Sequence, residues 1–134
     1  MTLVIDASVA AKWVLPEMLW ERAEALRFTD EPLIAPDLVF AEIGNALCKR
    51  AIQGEITTAI AIEALETATG LFSALVPMAG LATRAAEIAI TMKHPIYDCF
   101  YLALAERERA PLVTADKKLL ALGRGVKNVE VPAL

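Results

Sequence analysis

Short apolar runs alternate along the chain with longer stretches in which apolar positions recur at helical spacing. The short runs are residues 3–5, 32–36, 75–78, 111–114 and 128–131. Strands that alternate with helices are typical of a parallel sheet with helices on both faces. We therefore predict a single α/β domain over residues 1–134, with three layers (α/β/α) and a central parallel sheet of about five short strands.

The longer stretches carry the apolar stripes of amphipathic helices. A helix after Pro16 has one apolar and one acidic face, formed by Leu19, Ala23 and Leu26 and by Glu17, Glu21 and Glu24. Later stripes are Ala61, Leu65, Ala68 and Phe72, and then Leu81, Ala85, Ile88 and Met92. Asp37 is predicted to cap a helix that ends near Gly54, and a helix over residues 97–109 is predicted to be buried in its first two turns.

Composition indicates a protein without a membrane span. The hydrophobic share is 57% and the mean hydropathy is +0.49, but much of this excess is alanine, which suits close-packed helices. The longest uncharged stretch, residues 67–83, is interrupted by Gly70, Pro77 and Gly80, so it does not reach the ~20 apolar residues of a spanning helix. Because Asp6 interrupts the first apolar run, no secretory signal fits there, and we expect a cytoplasmic protein.

The cysteine, histidine and charge content excludes several classes of site. Cys48 and Cys99 lack metal-binding spacing and are interpreted as reduced thiols. His94 is the only histidine, which argues against a zinc site and against most histidine-based catalysis; it is interpreted as a loop residue. The net charge of −4 argues against nonspecific coating of nucleic acid. Residues 117–129 nevertheless hold four cations and no acid, which indicates either a solvated face or a basic rim for a polyanion.

Four acids stand at positions where chemistry is expected. Asp6 and Asp116 each follow an apolar strand and precede a helix, and the carboxyl ends of parallel strands meet at one edge of a sheet. Asp98 lies in apolar surroundings that are costly for a lone charge. Glu42 shares a helix face with Asn45 and Lys49. Taken singly, helix capping explains each aspartate and a solvated face explains the glutamate; together, the four predict one acidic site.

Such a site requires a cation. Two carboxylates ~5 Å apart repel each other by about 3 kcal/mol at an effective dielectric constant of ~20. Oxygen-only ligands favour Mg²⁺ or Mn²⁺, which activate water for hydrolysis of a phosphodiester bond. We expect Asp6 and Asp98 to be direct ligands, and Glu42 and Asp116 to complete the site or to orient the attacking water.

The chain resembles the PIN-domain nucleases in four successive motifs: Val4-Ile5-Asp6-Ala7-Ser8, Ala41-Glu42-Ile43-Gly44-Asn45, Tyr97-Asp98-Cys99-Phe100-Tyr101-Leu102-Ala103 and Val113-Thr114-Ala115-Asp116. The compact form is similar to the VapC toxins of toxin–antitoxin pairs. The resemblance implies an endoribonuclease that uses Mg²⁺ or Mn²⁺, with Asp6, Glu42, Asp98 and Asp116 as its acidic quartet. It also implies that Ser8 and Thr114 supply hydroxyls beside the metal, that the protein forms a homodimer, and that a VapB-like antitoxin is its partner.

Two alternatives stay open at this point. The first is a noncatalytic PIN-like module that binds metal or RNA. The second is a phosphoryl-transfer domain of the receiver or phosphatase kind, although the phosphatase pattern needs a second aspartate where this chain has Ser8. Asn45 and Lys49 are candidate substrate contacts. Trp13 and Trp20 could stack on RNA bases, but we interpret them as residues of the core or of a dimer interface.

Overall fold

A computed structural model describes residues 1–15, 20–132 and 134, apart from the side chain of Trp20. Within these residues the sheet has four parallel strands, β1 (Leu3–Ile5), β2 (Leu33–Pro36), β3 (Ala74–Val76) and β4 (Leu112–Val113). Their spatial order is β3-β2-β1-β4. The chain moves outward from β1 to β2 and β3 and then returns to the other side of β1. The strand order therefore reverses between β1 and β4, and ligands of open α/β sheets bind at such switch points.

The helices that the structure describes are α1 (Ala7–Ala10), α2 (Trp20–Arg27), α3 (Val39–Ile52), α4 (Thr58–Gly70), α5 (Ala82–Met92), α6 (Ile96–Glu108) and α7 (Lys117–Arg124), with 3₁₀ turns at Ala11–Trp13 and Met78–Gly80. All four residues of β2 and both residues of β4 are buried. Because successive strand residues point to opposite faces, helices must cover both sides of the sheet. The predicted three-layer α/β/α architecture is confirmed, with four strands instead of five.

The core is centred on α6, which packs against α5 and against β1, β2 and β4. Its five consecutive residues Tyr101, Leu102, Ala103, Leu104 and Ala105 are each at most 2% exposed, so this part of the helix is enclosed on every side. The predicted burial of its first two turns is correct for Cys99 and for residues 101–104, holds in part for Phe100, and is wrong for Tyr97, which is 63% exposed.

The predicted fifth strand at residues 128–131 does not form. This segment still runs beside β4, because the Leu112 amide donates to the Glu130 carbonyl (2.9 Å) and the Leu134 amide donates to the Thr114 carbonyl (3.1 Å). Pro132 lies between these two contacts and has no amide hydrogen to give to the ladder. The segment therefore covers the β4 edge without continuing the sheet.

The predicted cap of α3 is also wrong. Leu38 occupies the cap position of α3, while the Asp37 carboxylate accepts a hydrogen bond from the Met78 amide at 3.0 Å. Asp37 thus ties β2 to the segment after β3. Gly54, with φ of 78°, follows the end of α3 as predicted. The next helix begins at Thr58, because Thr57 caps it by accepting from the Ile60 amide.

Several smaller predictions concern the segment between β1 and β2. Trp13 is buried, its indole donates to the Ala23 carbonyl (2.8 Å), and its ring lies 5.4 Å from that of Phe72, which confirms a role in the core. Ala23 is buried in α2. Glu17 and Leu19, placed on opposite faces of this helix, and the Trp20 side chain lie outside the described residues.

Two predictions about composition can also be compared with the structure. Cys48 and Cys99 are both free thiols, which confirms that interpretation. In the part of the chain that the structure describes, no helix is long and apolar enough to cross a membrane.

Candidate active site

Asp6 directly follows β1, at the edge where the strand order reverses, and it is only 5% exposed. Its Oδ2 accepts hydrogen bonds from the Ser8 hydroxyl at 2.5 Å and from the Thr114 hydroxyl at 2.7 Å. Asp6 occupies the cap position of α1, but its side chain caps no amide. Helix capping therefore does not explain Asp6.

The two hydroxyls connect Asp6 to the turn between β4 and α7. The Ser8 hydroxyl accepts from the Ala115 amide (3.1 Å), and the Thr114 hydroxyl accepts from the Asp116 amide (2.9 Å). Ser8 and Thr114 thus lie beside the central acid; that they also lie beside a bound metal stays a prediction. Both donate to Oδ2, and no described residue donates a hydrogen bond to Oδ1. The second oxygen of this buried carboxylate is therefore left for another ligand.

Repulsion between their charges indicates that the four predicted acids lie near one another. Burial raises the pKa of Asp6, the charges of Asp98 and Asp116 raise it further, and the two hydroxyls offset part of this effect. Burial also raises the pKa of Glu42 to about 7, with further contributions from Asp6 and Asp98. Each acid thus acts on at least one other, as expected of carboxylates that face a shared space.

Asp116 has a double role. It caps α7, because its Oδ1 accepts from the amides of Lys118 (2.8 Å) and Leu119 (3.4 Å). The capping interpretation is therefore correct for this aspartate, although its charge also reaches Asp6. Lys117 and Lys118 follow it at the exposed start of α7 and place two cations at the rim of the acidic site.

Asp98 lies in the first turn of α6, where Pro95 takes the cap position, so capping does not explain it either. Its Oδ2 lies 2.9 Å from Nε2 of His94, and both side chains are partly exposed. His94 does belong to the loop between α5 and α6, as predicted, but its pairing with Asp98 was missed. The spacing of four residues across a helix start was the signal that could have revealed this pair.

Glu42 lies in the first turn of α3 and is half-buried, so a solvated helix face does not account for it. Its Oε1 accepts a hydrogen bond from the hydroxyl of the fully buried Tyr101 at 2.6 Å. No local pattern in the sequence pointed to Tyr101, because the two positions are 59 residues apart. Asn45 and Lys49 are exposed further along α3, and their contact with substrate stays a prediction.

The donor set suits a hard divalent cation. The ion pairs that arginines form with carboxylates of the described residues involve other acids. Four carboxylates, two hydroxyls and a free Oδ1 on Asp6 offer oxygen ligands of the kind that Mg²⁺ and Mn²⁺ prefer. No three His, Cys, Asp or Glu side chains among the described residues are already grouped to hold one ion. The site therefore fits such a cation by its chemistry, and side-chain movement would have to complete the coordination.

Comparison with known proteins defines the class. The family described as PIN domain matches residues 3–125. Ribonuclease VapC3 of Pyrobaculum aerophilum is 34% identical over 121 residues, which are 89% of this chain and 92% of that protein. The chain therefore belongs to the PIN domain family, and the resemblance that the four acidic motifs indicated is confirmed.

Solved structures agree in fold. The crystal structure of PAE2754 from Pyrobaculum aerophilum has a TM-score of 0.75 at 25% identity, over 98% of this chain and 83% of that one. VapBC2 from Rickettsia felis, solved bound to a DNA fragment from its promoter, has a TM-score of 0.71 at 14% identity, over 100% and 99% of the two chains. The second likeness supports the fold alone.

Proposed function

We propose that the protein is a metal-dependent endoribonuclease, the toxin of a VapBC-type toxin–antitoxin pair. The observation that carries this proposal is the environment of Asp6. It is a buried carboxylate with one oxygen held by two hydroxyls, its other oxygen receives no hydrogen bond from a described residue, and further acids lie close enough to raise its pKa. Curated relatives named as VapC ribonucleases support the RNA-cleaving activity.

Asp6 and Asp98 would hold Mg²⁺ or Mn²⁺ directly, and Glu42 and Asp116 would complete the site or orient the attacking water. When bound, such a cation lowers the pKa of water and offsets the charge that develops on a phosphodiester. Ser8 and Thr114 orient Asp6 by donating to its Oδ2, so that Oδ1 stays available. Tyr101 and His94 hold Glu42 and Asp98 in the same way.

RNA in single-stranded or looped form is the proposed substrate, because an A-form duplex hides its base edges in a deep, narrow groove. Lys117 and Lys118 stand at the exposed rim next to Asp116, where they would contact phosphates. As partners we propose a VapB-like antitoxin and a second copy of the chain. The 34% identity to curated VapC ribonucleases supports the first, and exposed apolar side chains on α3 and α4 support the second.

The first test is cleavage of unstructured and hairpin RNA with Mg²⁺, with Mn²⁺ and with EDTA. We expect cleavage only with a divalent cation, and a loss on the order of 100-fold or more for Asp6→Asn. Asp30→Asn, which changes an exposed aspartate in the same way, is the matched control and should keep full activity.

The outcomes of this test separate the candidate functions. Equal cleavage in EDTA contradicts the metal mechanism. Binding of Mn²⁺ and RNA without cleavage, by a parent protein that melts cooperatively, would instead identify a noncatalytic PIN-like binding module.

A further inference from the structure

Tyr101 has the largest fully buried side chain among the residues that the structure describes, and its hydroxyl lies where α6 meets α3. From α6, this hydroxyl donates to Oε1 of Glu42 on α3 at 2.6 Å. The Asp6 carboxylate, directly after β1, and the backbone of Ala7 beside it also act electrostatically on this hydroxyl. The hydroxyl therefore lies near the chain segments that carry Asp6, Glu42 and Asp98.

The contact joins a rigid group to a flexible one. The ring of Tyr101 is enclosed in the hydrophobic core of the protein, whereas Glu42 is half-buried and has a long side chain with several rotamers. A short hydrogen bond to a carboxylate is among the stronger kinds in proteins. Burial keeps the pKa of Tyr101 well above its usual value, so the hydroxyl retains its proton and stays a donor. Glu42 thus has one preferred position, which the core sets.

We propose that Tyr101 is a positioning residue of the active site: its hydroxyl holds the Glu42 carboxylate in place relative to Asp6, and thereby sets both the cation affinity and the rate of cleavage. This inference rests on the proposed ribonuclease function, and it concerns a group that has no place in the acidic quartet. It assigns to the hydroxyl a role that is separate from the packing of the ring.

Tyr101→Phe tests this role, because it removes the hydroxyl and keeps the ring. We expect kcat for RNA cleavage to fall about 10- to 100-fold with little change in KM, and the Mn²⁺ Kd measured by calorimetry to rise by a similar factor, as for other residues that orient metal ligands. Tyr97→Phe is the matched control: it makes the same change on the same helix, at a residue that is 63% exposed. It should stay within about twofold of the parent in both measurements.

A double-mutant cycle with Glu42→Ala, which removes the acceptor of the Tyr101 hydrogen bond, shows whether Tyr101 acts through Glu42. If it does, Tyr101→Phe causes almost no further loss of Mn²⁺ affinity or kcat in a chain that already carries Glu42→Ala. Losses that multiply in the double variant overturn the proposed route through Glu42. Should Tyr101→Phe not melt cooperatively at the assay temperature, both measurements are repeated on all variants at a lower temperature at which it is folded, and the same drop in kcat is then expected.

The readouts separate this inference from the function on which it rests. If the parent cleaves RNA and Tyr101→Phe matches it in kcat and Mn²⁺ affinity, the positioning role is overturned while the ribonuclease stands. If the parent cleaves no RNA, the proposed function fails, and the Mn²⁺ Kd alone decides. A weaker Kd for Tyr101→Phe than for Tyr97→Phe then supports positioning, and equal values contradict it.

Discussion

Asp6 and Asp116 show how the same local pattern leads to two different environments. Each follows an apolar strand and occupies the cap position of a helix, yet only Asp116 binds the amides of its helix. The difference arises because Ser8 and Thr114 direct their hydroxyls to Asp6. The sequence could predict both acids from their places at strand ends. It could not predict the partners of Glu42, because the Tyr101 contact exists only after the chain has folded.

Glu42 carries the clearest pH dependence at the residue scale. Its pKa rises from the ordinary 4.5 to about 7, mainly through burial. The folded protein therefore binds this proton more tightly than the unfolded chain does, and stability falls as the pH rises through this interval. In EDTA we expect Glu42→Gln to melt above the parent at pH 8, and the two melting temperatures to converge below about pH 5.

After allowance for the partial exposure of Glu42, the free energy of unfolding of Glu42→Gln at pH 8 should exceed that of the parent by on the order of 1–2 kcal/mol, or a few degrees in Tm. Thermal melts from pH 5 to pH 8 measure it, and added Mn²⁺ should shrink the difference because the parent binds the cation more tightly. A gain that does not vary with pH would show that the charge of Glu42 is not its cause.

At the scale of elements, periodic patterns predicted the helices well and the ends of elements less well. The stripe of Leu81, Ala85 and Ile88 is buried as predicted, because an apolar face has to pack against something whatever the topology. The fifth strand and the Asp37 cap failed for another reason. Asp37 instead accepts a hydrogen bond from the distant Met78 amide, and Pro132 cannot supply an amide hydrogen to a ladder with β4.

The segment of residues 128–131, which runs beside β4, also packs on α7 through Val131. This packing can be tested at Gly123, in the last turn of that helix. A Cβ there would collide with the Val131 side chain and would lie 3.4 Å from Leu102. Alanine is normally preferred over glycine inside a helix by about 1 kcal/mol. Here we expect Gly123→Ala to destabilise the fold by about 1–3 kcal/mol, because the added methyl group overpacks a buried contact.

Gly125→Ala is the matched control for this substitution. Its Cβ would meet the flexible end of the Met92 side chain, which can move away, so the change in stability should be small. Val131→Ala should recover part of the loss when combined with Gly123→Ala, as chemical denaturation of the four proteins would show. If Gly123→Ala is as stable as the parent, the C-terminal segment does not pack on α7 as described.

At the scale of the whole molecule, the high hydrophobic content of 57% leaves large apolar side chains exposed on two neighbouring helices. Phe40 and Ile52 on α3, and Ile60 and Ile62 on α4, are each between 46% and 85% exposed. Only Ala61 and Ala68 of α4 are fully buried, so most of this apolar helix faces outward. Composition predicted this surplus but not its location, which depends on how α3 and α4 pack against each other.

The last prediction is that α4 contributes to a homodimer. Light scattering at tens of micromolar should give about twice the 14.5 kDa of one chain. Ile60 and Ile62 lie on different sides of α4, so Ile60→Glu and Ile62→Glu are made separately. At least one should yield a folded monomer, because a carboxylate in an apolar interface is strongly disfavoured. Ile90→Glu on α5 makes the same change at a residue that is 78% exposed and should leave the dimer intact. A monomeric parent, or dissociation caused by Ile90→Glu alone, would rule out α4 as the interface.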